Sequence, residues 1–152
     1  MRILFSPLGD TDPVRGCYDG AMLHIVRNYQ PERIVLFYTH DMAEKERHDH
    51  RYTRAVQRLA PECQIEEVFT EIRDAHLYES FSRILPQEVL RIRETFPGST
   101  LLLNLSSGTP QMKTVLAMLA SDMEHCIGVQ VAAPARHSNL SLIHISEPTR
   151  PY

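Results

Sequence analysis

The residues best suited by type and spacing to bind a ligand lie together at 106–113, with the sequence Ser-Ser-Gly-Thr-Pro-Gln-Met-Lys. An apolar run leads into this stretch and an amphipathic run leads out, so the sequence predicts a strand, a small polar loop and a helix. Gly108 lets the backbone approach a ligand closely because it has no Cβ atom. Thr109 can cap the helix, and Pro110 suits its first position.

The predicted loop is suited to bind phosphate or another anion. It would present unpaired backbone N–H groups, three hydroxyl groups and the positive end of a helix dipole at one point. A well-capped turn without a ligand is the alternative interpretation. Capping accounts for Thr109 and Pro110 but not for Ser106, Ser107 and Gly108 at the carboxyl end of a buried strand, so we favour a site.

The elements that must position this loop follow from the apolar pattern of the chain. The predicted strands are 2–5, 34–38, 65–69, 100–105 and 127–133. The predicted helices are 20–29, capped by Asp19, a polar helix at about 42–59, a long helical pattern after Asp74, and 114–123. In the pattern after Asp74, Pro86 either kinks the helix or starts a second one. This alternation predicts an α/β fold, a parallel sheet of about five or more strands with helices on both faces.

Two loops are expected to share the candidate site. The loop at 6–18 follows the first strand, and the loop at 106–109 follows the fourth. Ligands of doubly wound sheets bind beyond the carboxyl ends of the strands, at the point where the winding switches. Both loops lie at that end, so the sequence predicts that they form one site.

Composition limits the classes of protein that fit. The chain has 152 residues, enough for one domain with a real core, with 43% hydrophobic and 23% charged residues. The net charge of −3 argues against general nucleic-acid binding, so a nucleic-acid ligand should be small and held in a local pocket. The three cysteines are far apart and form no CxxC pair, which predicts no zinc site and no disulfide framework. Free thiols, with no leader and no membrane-spanning run, predict a cytoplasmic location.

A histidine-rich stretch invites a metal site, which we do not predict. His48 and His50 are two residues apart on a predicted helix and so do not share a face. A polar surface helix accounts better for these residues and for nearby His40 and Asp49.

Residues 140–152 are predicted to be a non-native tail. The stretch from Leu140 to Arg150 matches the translation of a common transposase sequencing adapter without a mismatch. Authentic sequence would then end near Asn139, as the N-terminal piece of a longer protein. The alternative is a genuine strand-like tail, in which Leu142, Ile143 and Ile145 pair at a sheet edge.

Three separated motifs resemble a CRISPR-associated Rossmann-like (CARF) domain. They are residues 3–13 (Ile-Leu-Phe-Ser-Pro-Leu-Gly-Asp-Thr-Asp-Pro), residues 19–27 (Asp-Gly-Ala-Met-Leu-His-Ile-Val-Arg) and the loop at 106–113. They occur in the family's order, and the resemblance spans roughly residues 1–139. The chain is most similar to the accessory ribonucleases of type III-A CRISPR systems, the Csm-six family.

The resemblance implies a nucleotide-binding sensor domain in antiviral defence. In that family a CARF domain binds cyclic oligoadenylate, and a C-terminal HEPN domain, a metal-independent endoribonuclease and hydrolase, then cleaves single-stranded RNA. It implies a homodimer whose two CARF domains share one cyclic tetra- or hexa-adenylate, without a cofactor or metal. RNA would be contacted only through the effector domain, and no membrane is involved.

The effector domain is expected to be absent from this chain. The HEPN motif needs an arginine and a later histidine on a helix, with four to six residues between them. Arg33 and His40 have that spacing but span a predicted strand, so we take the pair as chance. The chain alone should therefore not cleave RNA. At most it would cleave its cyclic ligand slowly, with Thr109 and Asp12 positioning the ligand.

The family's ligand loop matches Gly108 and Thr109, and the first loop supplies further candidates. The predicted ligand-binding residues are Gly9, Asp10, Thr11, Asp12, Arg15, Ser106, Ser107, Gly108, Thr109, Gln111 and Lys113. A carboxylate at Asp10 would repel phosphate, so Asp10 should accept from a 2′-hydroxyl or a base amine. A simple turn at residues 9–12 and a solvated first helical turn at Gln111 and Lys113 are the alternatives.

Three other functions remain open from the sequence. A stand-alone ring nuclease that degrades cyclic oligoadenylate would show multi-turnover cleavage by residues 1–139. The ligand-sensing domain of a CRISPR-associated transcription regulator would be followed by a helix-turn-helix in the intact gene. The last is a nucleotide-binding α/β domain of unrelated purpose.

Overall fold

A computed structural model of the chain describes residues 1–132 and 143–146, the last four as backbone only. In chain order the elements are β1 (Arg2–Pro7), β2 (Val14–Arg15), β3 (Tyr18–Asp19), α1 (Ala21–Tyr29), β4 (Arg33–Tyr38), α2 (His40–Asp49), α3 (Arg51–Leu59), β5 (Gln64–Phe69), α4 (Ile84–Thr95), β6 (Thr100–Asn104), α5 (Pro110–Asp122), β7 (Cys126–Val131) and β8 (Ile143–Ser146). A short 3-10 turn, Tyr78–Ser80, precedes α4.

Five parallel strands form the sheet in the order β5-β4-β1-β6-β7, and β8 adds antiparallel to β7. The predicted α/β fold and its five parallel strands are confirmed. The strand order reverses at β1, which lies between β4 and β6. The loops that leave β1 and β6 therefore emerge side by side at the switch point.

Both faces of the sheet are covered, because alternate residues of each strand point to opposite sides. Ile3 and Phe5 of β1 pack with α4 and α5, whereas Leu4 packs with α1, α2 and α3. All three side chains are fully buried. This explains why the central strands are continuous apolar runs, as parallel sheets require.

The single polar helix predicted for about 42–59 is wrong. The chain breaks at His50, whose φ of 54° lies in the left-handed region, so that α2 ends and α3 begins there. The buried carboxylate of Glu46 accepts hydrogen bonds from the backbone N–H groups of Tyr52 and Thr53, both at 3.1 Å. Glu46 thus stabilises the first turn of α3 from the preceding helix, which no local glycine or proline signals.

The long helix predicted after Asp74 is also shorter than expected. The Asp74 carboxylate accepts a hydrogen bond from the backbone N–H of His76 at 3.2 Å, which forms a turn rather than a helix cap. The helix begins at Ile84, and Pro86 lies in its first turn, where its missing N–H needs no partner. Of the two alternatives for Pro86, the structure supports a new helix.

The backbone of residues 143–146 pairs with residues 128–131 at the sheet edge. Residues 133, 140–142 and 147–152 of the predicted strand end and tail lie outside the described residues. In the part of the chain that the structure describes, no helix is long and apolar enough to cross a membrane.

Candidate functional site

The loops that follow β1 and β6 touch each other through glycine. A Cβ atom added at Gly9 would lie 2.9 Å from the backbone nitrogen of Gly108, so only glycine allows this approach. Gly108 has a φ of 95°, a conformation that residues with side chains rarely adopt. The structure therefore brings the two predicted loops together, with glycine required on both sides of their contact.

Beneath this contact, a buried polar network joins the carboxyl ends of β1 and β6. The amide nitrogen of Asn104 donates to the hydroxyl oxygens of Ser6 at 3.0 Å and Ser107 at 2.9 Å. The amide oxygen of Asn104 accepts from the backbone N–H groups of Ser106 at 2.8 Å and Ser107 at 3.2 Å. The network fixes the shape of the loop at 106–109 from inside the protein.

Asn104 is the residue of this site that the sequence predictions missed. It is fully buried, yet it ends an otherwise apolar strand. A buried amide costs free energy unless its donors and acceptors are paired. An isolated asparagine at the carboxyl end of an apolar run was therefore a signal that could have been used.

Asp12 is a buried carboxylate that holds three parts of the site together. It is 5% exposed, and it accepts hydrogen bonds from the N–H groups of Gly9 at 2.9 Å and Met22 at 3.1 Å. Burial raises its pKa, although the Ser107 side chain and the two N–H groups act against that rise. Since both oxygens of Asp12 have partners within the protein, its contacts position the loop and the start of α1.

This arrangement corrects the predicted cap of α1. Asp19 does not cap the helix: its carboxylate pairs with Arg27, with Oδ2 2.7 Å from Nε. Gly20 takes the N-cap position, where a Cβ atom would lie 2.3 Å from the carbonyl oxygen of Thr11. Asp12 supplies the acceptor from ten residues before Met22, which a local capping pattern does not contain.

The start of α5 agrees with its prediction. The Thr109 hydroxyl accepts from the backbone N–H of Met112 at 3.4 Å, and Pro110 lies in the first turn. The backbone N–H groups of Gly108 and Thr109 have no hydrogen-bond partner among the described residues. Two N–H groups next to the positive end of the helix dipole are therefore without a partner among the described residues.

Gln111 and Lys113 lie half-buried on the same turn. The side-chain oxygen of Gln111 is buried and lacks a hydrogen-bond partner within residues 1–132 and 143–146. The ammonium of Lys113 acts on the buried Asp12 carboxylate, whose pKa it lowers. No ion pair of Lys113 is formed with the described residues. The beginning of α5 thus carries a cation, a buried amide oxygen without a partner and, just before it, two N–H groups without a partner among the described residues.

The remaining predicted residues lie further from this point. The Ser106 hydroxyl accepts from the backbone N–H of Val131 at 2.7 Å, so it ties the loop to β7. Asp10 and Thr11 are exposed on the first loop, and Arg15 is exposed on the β2–β3 hairpin. Asp10 pairs with Lys45 of α2, with 3.6 Å between Oδ1 and Nζ. Among the residues described, no group of three or more metal-binding side chains could hold a metal ion.

Comparison with known proteins places this geometry in a family. The family model of the Csm6 CARF domain matches residues 62–149. The CRISPR system endoribonuclease Csm6 of Mycobacterium tuberculosis is 41% identical over 135 residues, and that of Enterococcus italicus is 37% identical over 147 residues. These alignments cover 88% and 91% of this chain but 32% and 34% of the relatives.

A solved structure agrees with the sequence relatives. Enterococcus italicus Csm6 bound to cyclic hexa-2′-fluoro-hexa-dAMP matches with a TM-score of 0.78 and 36% identity, over 88% of this chain and 34% of that one. The chain thus spans about a third of the length of the curated relatives it matches. The family match reaches into residues 140–152, whose adapter origin stays a prediction. Because the family model covers more than half of the sequence, this chain belongs to the Csm6 CARF domain family.

Proposed function

We propose that this domain binds cyclic oligoadenylate at the loops after β1 and β6 and thereby regulates the RNA cleavage of a longer CRISPR endoribonuclease. The observation that carries the proposal is the contact of Gly9 with Gly108 beside the unpartnered N–H groups of Gly108 and Thr109. The Csm6 structure with a bound cyclic hexanucleotide analogue supports the ligand class.

The chemistry of the ligand suits these groups. Phosphate oxygens accept hydrogen bonds, so the free N–H groups at the start of α5 and the Lys113 ammonium can bind one phosphate of the ring. The side-chain oxygen of Gln111 is buried without a partner among the described residues, and a turn of this side chain toward the ligand would let it accept from a base amine or a 2′-hydroxyl. Since Asn104 and Asp12 already hold the loops in place, little ordering should accompany binding.

A ring of identical nucleotides can bind symmetrically to a homodimer. We place this homodimer in the cytoplasm. One chain presents one pair of loops, and a second copy related by a twofold axis would present the same pair to the opposite side of the ring. Ligand binding across that axis would change the position of one copy relative to the other. We propose that this change reaches the HEPN ribonuclease domain expected in the intact protein.

Calorimetric titration of the chain with cyclic tetra-adenylate and cyclic hexa-adenylate tests the proposal. We expect one ring to saturate two chains. Thr109→Ala should weaken binding by about tenfold, because it removes the hydroxyl that orders the first turn of α5. Thr114→Ala is the matched control, since among the described residues that exposed hydroxyl donates to the Pro110 carbonyl oxygen alone, at 2.9 Å.

Failure of a folded sample to bind either ring would reject the proposal. Equal losses in Thr109→Ala and Thr114→Ala would contradict the placement of the ligand at the start of α5. Saturation at one ring per chain would contradict the homodimer while keeping the ligand.

A further inference from the structure

A second cleft opens beside the first loop, on the side of α2. Its volume is about 370 Å³, and its lining residues are Asp10, Asp41, Met42, Glu44, Lys45, His48 and Arg51. Asp10 directly follows Gly9, which touches Gly108. The cleft therefore adjoins the proposed ligand site, although Asp10 is the one lining residue that the sequence predicted to bind the ligand.

Lys45 is the cation of this cleft that can most readily change partner. Its Nζ atom is 3.6 Å from Oδ1 of Asp10, and the Asp10 side chain is 89% exposed. An exposed ion pair of this kind contributes little to stability, so another anion can replace Asp10. Arg51 differs, because its Nε and its backbone N–H both donate to Oδ1 of Asp49, at 3.0 and 3.1 Å.

The acidic side chains of the cleft narrow the class of ligand that fits. Asp10, Asp41 and Glu44 outnumber Lys45 and Arg51, which disfavours a bare anion. A nucleotide unit carries hydroxyl and amine donors beside its phosphate, so it can satisfy both charge types at once. Met42 adds an apolar contact for a base or ribose.

We propose that this cleft extends the ligand site, with Lys45 leaving Asp10 to bind a phosphate of one nucleotide of the ring. Asp10, once released, accepts a hydrogen bond from the 2′-hydroxyl or base amine of the same nucleotide. This accounts for a carboxylate in a loop that binds a polyanion, since its charge is balanced by Lys45 in the free protein. The inference rests on the proposed function.

The salt dependence of binding separates a direct contact from a distant charge. Each phosphate contact that a lysine makes adds nearly one to the slope of log affinity against log salt concentration. We expect Lys45→Met to weaken binding of the cyclic adenylates about tenfold and to lower that slope by about 0.7–1, measured between about 50 and about 200 mM salt. Arg54→Met is the matched control, because it removes an exposed cation from α3 outside the cleft and should leave the slope unchanged.

A second variant tests the exchange of partners. Asp10→Asn should raise affinity about two- to fivefold, because it removes the carboxylate that competes with phosphate for Lys45. If wild type binds neither ring, the proposed function fails. If wild type binds and Lys45→Met keeps the wild-type slope, only this inference fails. A loss of affinity in Asp10→Asn with an unchanged slope in Lys45→Met would likewise overturn it.

Discussion

Two groups of polar residues in this domain are stabilised in different ways, one at the loops after β1 and β6 and the other around Glu66. At the loops, neutral groups make most of the contacts. Asn104 and the hydroxyl groups around it hold the backbone, and among the described residues the hydrogen bonds to the buried Asp12 carboxylate come from backbone N–H groups and a hydroxyl. On β5 and α4, charges hold one another. Glu66 accepts from Arg33 at 2.8 Å and also from Arg91, which in turn pairs with Glu88 at 2.9 Å.

The difference shows how a binding site can be told from a structural cluster. In the ion pairs around Glu66, two arginines balance two glutamates, and Nε of Arg33, which has no hydrogen-bond partner among the described residues, is buried away from a ligand. At the loops, the protein's own network leaves Lys113 and the N–H groups of Gly108 and Thr109 without partners among the described residues. Groups that remain unpaired beside a rigid, fully paired network are where a ligand is expected.

The largest expected effect comes from removing the buried carboxylate. Asp12→Ala should lower the free energy of unfolding by about 3 kcal/mol, because it leaves the N–H groups of Gly9 and Met22 without an acceptor. Asp10→Ala is the control, since that exposed carboxylate should contribute within about 0.5 kcal/mol. Urea unfolding measures both, and equal losses would erase the distinction between the two neighbouring carboxylates.

Gly108 and Gly98 both have a positive φ but differ in their surroundings, so their alanine variants form a matched pair. A Cβ atom at Gly108 would lie 2.8 Å from Cε of Met112, whereas a Cβ atom at Gly98 would meet nothing within 4 Å. Both alanine variants should lose about 1 kcal/mol of stability from the backbone conformation. Only Gly108→Ala should also weaken binding of cyclic oligoadenylate, by about tenfold, in calorimetric titration. Equal affinities in the two variants would contradict a ligand contact at Gly108.

The smallest expected effect is a difference between Glu66 and Asp12 in how their contributions to stability depend on pH. Burial alone would raise the pKa of Glu66, but hydrogen bonds from Arg33 and Arg91 outweigh it and lower the pKa below its ordinary 4.5. The stability that Glu66 provides is therefore present above that value and lost as the pH falls through its lower folded pKa. The advantage of wild type over Glu66→Gln, about 1 kcal/mol at neutral pH, should shrink on acidification.

Asp12 should behave in the opposite way. Its pKa is raised above 3.8, so the folded protein binds the proton more tightly than the unfolded chain does. Its ionisation costs stability as the pH rises from that value through the folded pKa. The free energy of unfolding of Asp12→Asn should therefore increase relative to that of wild type as the pH rises, in unfolding experiments across acidic pH. If the stabilities of Asp12→Asn and Glu66→Gln changed with pH in the same direction relative to wild type, the proposed difference between the Asp12 network and the Glu66 ion pairs would be contradicted.

The sequence was sufficient for the features that local patterns encode. Apolar runs predicted four of the five parallel strands, because central strands bury both faces, and a weaker alternation at residues 65–69, interrupted by Glu66 and Glu67, predicted the edge strand β5. Gly108, Thr109 and Pro110 predicted the loop and the start of α5, because the chemistry of a helix N-terminus lies within a few residues.

Features that depend on distant partners were beyond such patterns. Asp12 caps α1 across a hairpin, and Glu46 holds the start of α3 from within another helix. In both, the acceptor and its donors are brought together by tertiary packing rather than by short sequence spacing. The pairing of Asp10 with Lys45 belongs to the same class, because it joins a loop after β1 to a helix after β4.

The outer strand β5 has a consequence for self-association. An unprotected edge strand offers free backbone groups on which another chain can build, which is a route to aggregation. Here β5 carries Glu66, which is balanced by Arg33 and Arg91, and the exposed Glu67, beside which an incoming strand would have to pack. This edge thus resists templated growth into fibres, and the two copies of the proposed homodimer should meet through another surface.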